Sequence, residues 1–275
     1  MTPRRRRGML AHRARVIGAH AIVTLRDQGA YLGELALGGA ILFVFLFVLS
    51  CLWTATFRAQ ESSLLGGLTL VQMTWYVTFT EALVMSRVNV ARRIDEDIRT
   101  GNLAHALLRP GGYLTARFGA YLAERLVRFA FSLGFGSVVA LALAGPVVID
   151  PVAALGAIVA TGLAFVLEFA IIAGIGLGAF WTEDTSSIYF LYTRVSLLLG
   201  GVLIPIELFP EGAAIVARAL PFAPMIHGPA RLALAPDGTG FLSVIASLVV
   251  SLGVVGTMMA VGYRSGLERL TVQGG

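Results

Sequence analysis

Three glutamates, Glu34, Glu81 and Glu168, lie within or beside long apolar segments. An ionisable side chain in hydrocarbon is costly, so we expect it to be paired, to be protonated or to face a water-filled cavity. Glu34 is close to the end of its segment, whereas Glu168 is in the middle of one. Arg194, an arginine inside another apolar segment, or a neighbouring hydroxyl would neutralise Glu168; the alternative is that Glu168 binds and releases a proton. The intramembrane polar candidates are therefore Glu81, Glu168 and Arg194.

The other side chains offer little catalytic chemistry. All 21 basic residues are arginine, so the chain lacks the lysine of a Walker A phosphate loop or of a Schiff-base enzyme. The histidines at 12, 20, 105 and 227 form no HExxH pattern, and the single cysteine, Cys51, excludes an intrachain disulfide. The sequence has no GxSxG motif and no paired intramembrane aspartates. We therefore expect no catalytic residue, no metal site and no cofactor bound by this chain.

The composition is that of a membrane protein. The chain is 57% hydrophobic and 13% charged, with a mean hydropathy of +0.81, whereas a soluble domain has about 25% charged residues. Six segments have about the 20 residues that a spanning helix needs. Because backbone groups in lipid must bond within the helix, residues 1–275 are predicted to form one all-α transmembrane domain. The predicted spans are about Leu35–Phe57, Leu64–Ser86, Phe129–Ile149, Val152–Trp181, Ser187–Ile204 and Phe241–Tyr263.

The placement of arginine predicts the orientation. With the N-terminus inside, the inner segments hold 17 arginines and the outer segments hold three, at Arg58, Arg218 and Arg231. This asymmetry follows the positive-inside rule, so both termini are predicted to be cytosolic. Residues 1–34 combine arginines with apolar residues at helical spacing, which predicts a helix lying in the inner interface. That helix is either a polybasic anchor or a protein contact.

The inner loop of residues 87–128 carries eight arginines and is the most polar long stretch of the chain. Its first part has an apolar stripe at helical spacing, with charged residues on the other faces, so span two is predicted to continue as an amphipathic helix. The stripe consists of Val88, Ala91, Ile94 and Ile98. Gly101 is a predicted helix stop, Asn102 a predicted N-cap and Pro110 a predicted helix break. Mixed charges around a sharp turn are suited to a groove on a partner protein.

Two other segments differ from their surroundings. Trp181–Ser187 is a short acidic inner loop, complementary in charge to the longer basic loop. Gly200–Leu232 contains five prolines but remains apolar, which predicts short helices such as Glu211–Leu220 that re-enter the outer leaflet. This re-entrant segment, residues 205–240, is either an outer gate or an ordered lid. The gate candidates are Pro205, Phe209, Pro210, Pro221 and Phe222.

Four motifs, in order, resemble those of the membrane subunits of type-2 ABC exporters, in particular the subfamily with an IxxGxLxxxLLRP inner-loop motif. Together they extend over most of the chain, and the arginine-rich leader is the part that the family does not specify. The motifs are IRTGNLAHALLRP at Ile98–Pro110, FWTEDTSS at Phe180–Ser187, GVLIPIELFP at Gly201–Pro210 and ALPF at Ala219–Phe222.

The resemblance implies a division of labour. Two such subunits, identical or homologous, pair in the bacterial inner membrane, and each docks on a separate ATP-binding cassette subunit that holds ATP and magnesium. Arg92–Leu108 then corresponds to the coupling helix region and Glu183–Ser187 to a second contact. The residues implied in ATPase coupling are Arg92, Arg93, Asp95, Glu96, Asp97, Arg99, Gly101, Leu103, Leu107, Arg109, Glu183 and Asp184.

The leading hypothesis is a multi-pass permease that exports an amphiphilic or hydrophobic substrate, with an ATPase, a second permease subunit and membrane lipids as partners and no nucleic acid. An ion-coupled secondary carrier that uses Glu168 is the alternative, although the chain has no evident inverted repeat. A non-transporting scaffold or an intramembrane enzyme is a third class, and no catalytic pairing supports the enzyme.

Overall fold

The computed structural model describes residues 32–108, 112–234 and 240–273, and these residues are helical almost throughout. The predicted leader helix, apart from its last residues, lies outside these ranges, as do Arg109, Pro110 and the side chain of Glu34. The helices are α1 (Leu32–Ala59), α2 (Leu70–Met85), α3 (Val90–Arg99), α4 (Asn102–Leu107), α5 (Tyr113–Ala144), α6 (Pro151–Leu177), α7 (Ser186–Leu199), α8 (Glu211–Ala219), α9 (Phe222–Leu234) and α10 (Gly240–Gln273).

The all-α prediction is confirmed for the described residues, but the count of six spans is not. Four helices are long and apolar enough to cross a membrane, namely α1, α5, α6 (with the turn that follows it) and α10. The helices at predicted spans two and five, α2 and α7, have only 16 and 14 residues. The start of α2 is delayed because Gly66 and Gly67 adopt positive φ and Thr69 then caps the helix in a capping box with Gln72.

The ends of two other helices differ from the prediction. Helix α5 begins at Tyr113, well before the predicted start at Phe129, so its polar first half is helical too. Helix α10 continues to Gln273, beyond the predicted end at Tyr263. Hydropathy marks where a helix enters lipid, whereas the helix itself ends only where capping or chain direction ends it.

The helices pack in two groups. Helix α6 is central to one group and packs against α3, α9 and α10, whereas α5 packs against α1 and α2. Helices α5 and α6 meet mainly through side chains, such as Phe129 against Phe165. An apolar cleft of about 540 Å³ opens beside them, lined by Phe79, Phe129 and Phe165 among others. Large apolar side chains on the outer surface of α1, such as Phe43 and Phe47, are about half exposed. Such a surface is expected where a helix faces lipid.

Helices α3 and α4, residues 90–107, form a bent segment that we call the elbow. It is separate from α2: Asn89 caps α3 by accepting a hydrogen bond from the Arg92 amide, so the prediction that span two continues as one helix is wrong. Gly101 has φ +73°, a left-handed conformation that glycine adopts without strain, and it ends α3 as predicted. Asn102 is the first residue of α4 rather than its cap.

Helices α8 and α9 form a hairpin between α7 and α10. Met225 of α9 lies beside Glu168 of α6, and Leu234 of α9 lies beside Ala154, near the start of α6. The predicted helix at 211–220 is confirmed as α8. Pro205, Pro210 and Pro221 lie outside the helices, whereas Pro224 and Pro229 lie inside α9 and do not break it. A proline in the first turn needs no N–H partner, which explains why Pro224 is accommodated.

Candidate functional site

The elbow is fixed to α6 by close backbone packing. A Cβ at Gly176 would lie 2.8 Å from the Ala91 carbonyl oxygen and 2.9 Å from the Ala91 Cα. No side chain other than hydrogen fits there, so α3 lies directly on the end of α6. The predicted apolar stripe makes this contact: Val88, Ala91 and Ile94 are buried. A displacement of the elbow must therefore move α6 as well.

The two predicted inner loops meet at one buried carboxylate. Asp95 accepts hydrogen bonds from the backbone N–H (3.2 Å) and the hydroxyl of Thr185, and it pairs with Arg99. Arg99 also donates to the Thr182 carbonyl at 3.2 Å. Burial alone would raise the pKa of Asp95, but hydrogen bonds from Thr185 and Arg99 lower it below its ordinary value. The elbow and the 181–187 loop consequently form one continuous surface.

The elbow is also tied to the polar start of α5. Asp97 accepts from the Tyr113 hydroxyl and from Arg117. Arg93 lies 2.9 Å from Glu124, whose other oxygen is 3.0 Å from Arg128. The elbow therefore bridges the helix group of α6 and the helix group of α5.

The predicted coupling residues form two sets. Some are buried or bonded and attach the elbow to the rest of the protein, and others lie on its solvent-exposed surface. Asp95 and Leu103 are buried and Asp97 is half-buried, so the expectation that the aspartates lie on the charged outer face is wrong. Arg99, like Arg93, is partly exposed but engaged in an ion pair. Arg92 and Glu96 pair with each other at 2.8 Å in solvent. The other exposed members of the set in the described residues are Gly101, Leu107, Glu183 and Asp184.

Glu168 lies in a buried ion cluster, which we define as Arg87, Arg125 and Glu168 with the hydroxyls of Tyr121 and Tyr192. Arg87 Nε is 2.8 Å from one carboxylate oxygen, and Arg125 Nη2 is 2.7 Å from the other. The tyrosine hydroxyls donate at 3.2 and 3.4 Å. The side chains of Arg87, Arg125 and Glu168 are 9%, 3% and 2% exposed. The predicted hydroxyl partners are confirmed, but the arginine partners were not anticipated.

The other two intramembrane candidates, Arg194 and Glu81, are not members of the ion cluster. Arg194 is exposed and lies over the Phe190 ring at 4.9 Å, so the prediction that it neutralises Glu168 is wrong. Glu81 is buried on α2, within electrostatic range of Arg87. Arg125 also donates to the Leu83 carbonyl at 2.7 Å, yet its Nε and Nη1 have no hydrogen-bond partner among the described residues.

A second polar cluster lies at the hairpin end of the molecule. This histidine cluster consists of Tyr76, His227, Glu207 and Arg231. The Tyr76 hydroxyl is 2.9 Å from His227 Nδ1, and His227 Nε2 is 3.3 Å from Glu207. Arg231 lies 3.5 Å from the same glutamate oxygen and donates to the Gly66 carbonyl at 3.0 Å. The cluster therefore ties the hairpin to α2 and to the α1–α2 turn.

The predicted gate residues lie around the hairpin. Pro205 is buried, and Phe209, Pro221 and Phe222 are half-buried, whereas Pro210 is exposed. The Phe222 ring is 6.0 Å from that of Tyr192. Sequence reasoning missed the histidine cluster because its members are far apart in the chain; Tyr76 and His227 are separated by 151 residues. A lone histidine and glutamate in an apolar, proline-rich segment were the available signal.

Comparison with known proteins gives one family. Residues 34–274 match a family model described as an ABC-2 family transporter protein. No curated protein matches the chain. In the described residues, no group of three or more histidine, cysteine, aspartate or glutamate side chains is arranged to hold a metal ion.

Proposed function

The chain belongs to the ABC-2 transporter family, and from this premise we propose that it is the permease subunit of an ABC exporter that takes its mechanical work from a separate ATPase. Two copies of an ATP-binding cassette subunit would hold ATP and magnesium. A second permease subunit, identical or homologous, would complete the pathway in the bacterial inner membrane. The substrate class is amphiphilic or hydrophobic.

The observation that carries this proposal is the surface made by the elbow and the 181–187 loop. It presents the Arg92–Glu96 pair, Glu183 and Asp184 to solvent, while the opposite side of α3 packs on Gly176. A partner that binds this surface pushes on a rigid element rather than on a loose loop. A docking site for a motor needs this property.

The packing suggests how a push becomes a change in the membrane domain. Helix α6 moves with the elbow, and with it go α9 and α10, because these helices pack on α6. Helices α5 and α6 are joined by side chains, above all by the ion cluster, and the apolar cleft lies beside them. Closure of the ATPases would therefore tilt the α6 group against the α5 group about the side-chain bonds that join them, while α5 remains packed on α1 and α2.

The unequal distribution of arginine between the two sides supports a cytosolic location for the elbow and for both termini. The hairpin of α8 and α9 then lies on the outer side, where it would act as a gate built from re-entrant helices. Its half-buried aromatic residues, Phe209 and Phe222, are suited to closing an apolar pathway.

The carrier alternative has less support. Both oxygens of Glu168 are engaged by guanidinium groups and tyrosine hydroxyls, so the carboxylate has no unoccupied side from which to exchange a proton with a substrate pathway. A residue held between two arginines is suited to a structural role.

Exchanging the two charges of the exposed pair tests ATPase docking. The double variant Arg92→Glu/Glu96→Arg keeps an i,i+4 ion pair on α3 but reverses the charge at two surface positions. We expect the complex with the ATP-binding cassette protein encoded beside this chain to weaken about tenfold. ATP-dependent transport should fall while the melting temperature is unchanged. Co-purification and vesicle transport assays measure these effects.

The matched control is Arg218→Glu, which reverses an exposed charge on α8, a helix that is not part of the elbow. It should leave ATPase binding unchanged. Normal binding by the charge-exchanged variant, or equal loss in both proteins, would refute docking at the elbow.

A further inference from the structure

The histidine cluster has a defined requirement for protons. The Gly201 carbonyl can only accept, and the Tyr76 hydroxyl donates to it. The single proton of that hydroxyl is then used, so the 2.9 Å contact between Tyr76 and His227 Nδ1 needs a proton on the imidazole. Nδ1 must therefore be the donor in this pair.

The other imidazole nitrogen has a requirement of its own. His227 Nε2 lies 3.3 Å from a Glu207 carboxylate oxygen. A bare nitrogen lone pair would face a negative charge there, whereas an N–H would form an ion-pair contact. Burial alone would raise the pKa of Glu207, but His227 and Arg231 lower it to about 2, so Glu207 is an acceptor at ordinary pH. Both imidazole nitrogens consequently need a proton.

We propose that His227, in its imidazolium form, is the positioning residue that holds the α8–α9 hairpin closed against α2, and that its deprotonation releases the hairpin. A neutral histidine supplies one N–H and must lose either the contact with Tyr76 or the contact with Glu207. The part played by this closure in transport rests on the proposed function, whereas the closure itself does not.

The surroundings of the imidazole make it the proton-sensitive group of this cluster. His227 and Glu207 have side chains 14% and 30% exposed, so protons from solvent reach them. Among the described residues, the titratable groups placed against the imidazole are Tyr76 from α2, Glu207 from the turn before α8 and Arg231 from α9 itself. The other titratable groups of the helices packed on α9 lie elsewhere. Glu81 of α2 is near Arg87, and Glu168 of α6 is in the ion cluster. On α7, Tyr189 and Tyr192 lie side by side, and Arg194 is exposed beside Phe190. Glu211 and Arg218 of α8 are exposed, and Tyr263, Arg264, Glu268 and Arg269 lie in the last turns of α10.

Close packing and neutral hydrogen bonds next to the histidine cluster also join the hairpin, and the segment before it, to α2. A Cβ at Gly201, where φ is +71°, would lie 3.2 Å from the Tyr76 hydroxyl and 3.3 Å from His227 Cβ. Thr80 on α2 donates to the Val202 carbonyl at 2.8 Å, and Gln72 donates to the Leu234 carbonyl at 2.9 Å. These neutral bonds persist at any pH. Loss of the imidazolium therefore weakens the attachment of the hairpin to α2 without unfolding the chain.

Hydrogen–deuterium exchange of the full-length protein in lipid nanodiscs tests the proposal. Peptides from residues 201–234 are compared at about pH 5.5 and about pH 8.5, on either side of the range in which histidine changes charge. Labelling times are scaled for the pH dependence of chemical exchange. We expect opening of the hairpin to be about tenfold more frequent at the higher pH, the effect of losing one hydrogen bond to a charged group. Peptides from α6 should show no such change.

Three variants identify the responsible group. His227→Gln should make the exchange of the hairpin independent of pH, and Glu207→Gln should reduce its pH response. The control His105→Gln alters an exposed histidine on α4 and should keep the full wild-type response. An unchanged hairpin between the two pH values in the wild type, or a full pH response in His227→Gln, overturns the proposal.

This measurement requires neither ATPase nor substrate. If ATPase binding or transport fails its own test, the exchange result still stands. A failed exchange test in turn leaves the permease function intact.

Discussion

The ion cluster and the histidine cluster join the same two helix groups at different positions along α2 and α9, but with different chemistry. At the elbow end, Arg125 of α5 and Arg87, just after α2, meet Glu168 of α6. At the hairpin end, Tyr76 of α2 meets His227 of α9. A carboxylate between two guanidinium groups holds the first junction, and an imidazole holds the second.

This difference indicates different mechanical roles. A buried carboxylate between two guanidinium groups is strongly favoured over any broken arrangement, because opening it would leave charges unpaired in a low dielectric. The junction at the elbow end is thus suited to a pivot. The hairpin junction depends on one proton and a few neutral hydrogen bonds, so a small change in free energy opens it. We expect the two ends to respond unequally to mutation and to pH.

The largest effect is expected from Glu168→Gln. The substitution keeps the shape but leaves Arg87 and Arg125 buried without their counter-charge, which should lower the free energy of unfolding by about 3–5 kcal/mol. Thermal unfolding of the protein in detergent measures the loss. The variant should also lose transport, because the pivot no longer holds.

The control for this substitution is Glu183→Gln, which makes the same chemical change at an exposed position of the 181–187 loop. Its stability should be within about 0.5 kcal/mol of the wild type. Equal melting temperatures for the two variants would mean that Glu168 does not neutralise the arginines, and the comparison between the two junctions would fail.

A smaller effect is expected from Gly176→Ala, which tests whether the elbow moves with α6. The added methyl group would clash with the backbone of Ala91, which cannot rotate away, so we expect a cost of about 1–3 kcal/mol and a displaced α3. ATPase binding and ATP-driven transport should fall together. Gly174→Ala is the matched control, because its Cβ meets nothing within 4 Å. Equal activity of the two variants would contradict rigid attachment of the elbow.

The elbow shows which structural features can be predicted from a sequence pattern and which cannot. The apolar stripe of α3 was predicted from its spacing, since a helix has a fixed period, and Ala91 and Ile94 are buried as expected. The same reasoning assigned Asp95 to the charged face. That assignment failed because Asp95 bonds to Thr185, 90 residues away, and the spacing of one helix carries no information about its distant partner.

The candidate site was less predictable than the fold for the same reason. Glu168 was expected to need a partner, since a charge in an apolar segment is costly. Its true partners, Arg87 and Arg125, were assigned to the polar inner loop, whereas α5 in fact continues as one helix from Tyr113 and carries Arg125 into the core. Arg194, nearer in sequence, turns instead towards Phe190.

The smallest effect is expected from Asp95→Asn, which separates the acid response of the elbow from the response of the hairpin. The pKa of Asp95 is lowered in the folded protein by hydrogen bonds from Thr185 and Arg99, against the opposing effect of burial. A carboxyl group of this kind stabilises the fold above its unfolded pKa of about 3.9 and loses that contribution as the pH falls through its lower folded pKa. The wild type should therefore exceed Asp95→Asn in stability by about 1 kcal/mol at neutral pH, since Arg99 is partly exposed and its pairing is screened. Thermal melting between about pH 3 and about pH 7 should give two curves that converge below about pH 4.

Glu96→Gln, on the exposed side of the same helix, is the control and should follow the wild type near neutral pH. A difference between wild type and Asp95→Asn that vanished between about pH 5 and about pH 8 would place the acid response in the histidine range. The elbow would then respond to pH in the same range as the hairpin, and the contrast between ion pairs at one junction and a proton switch at the other would be wrong.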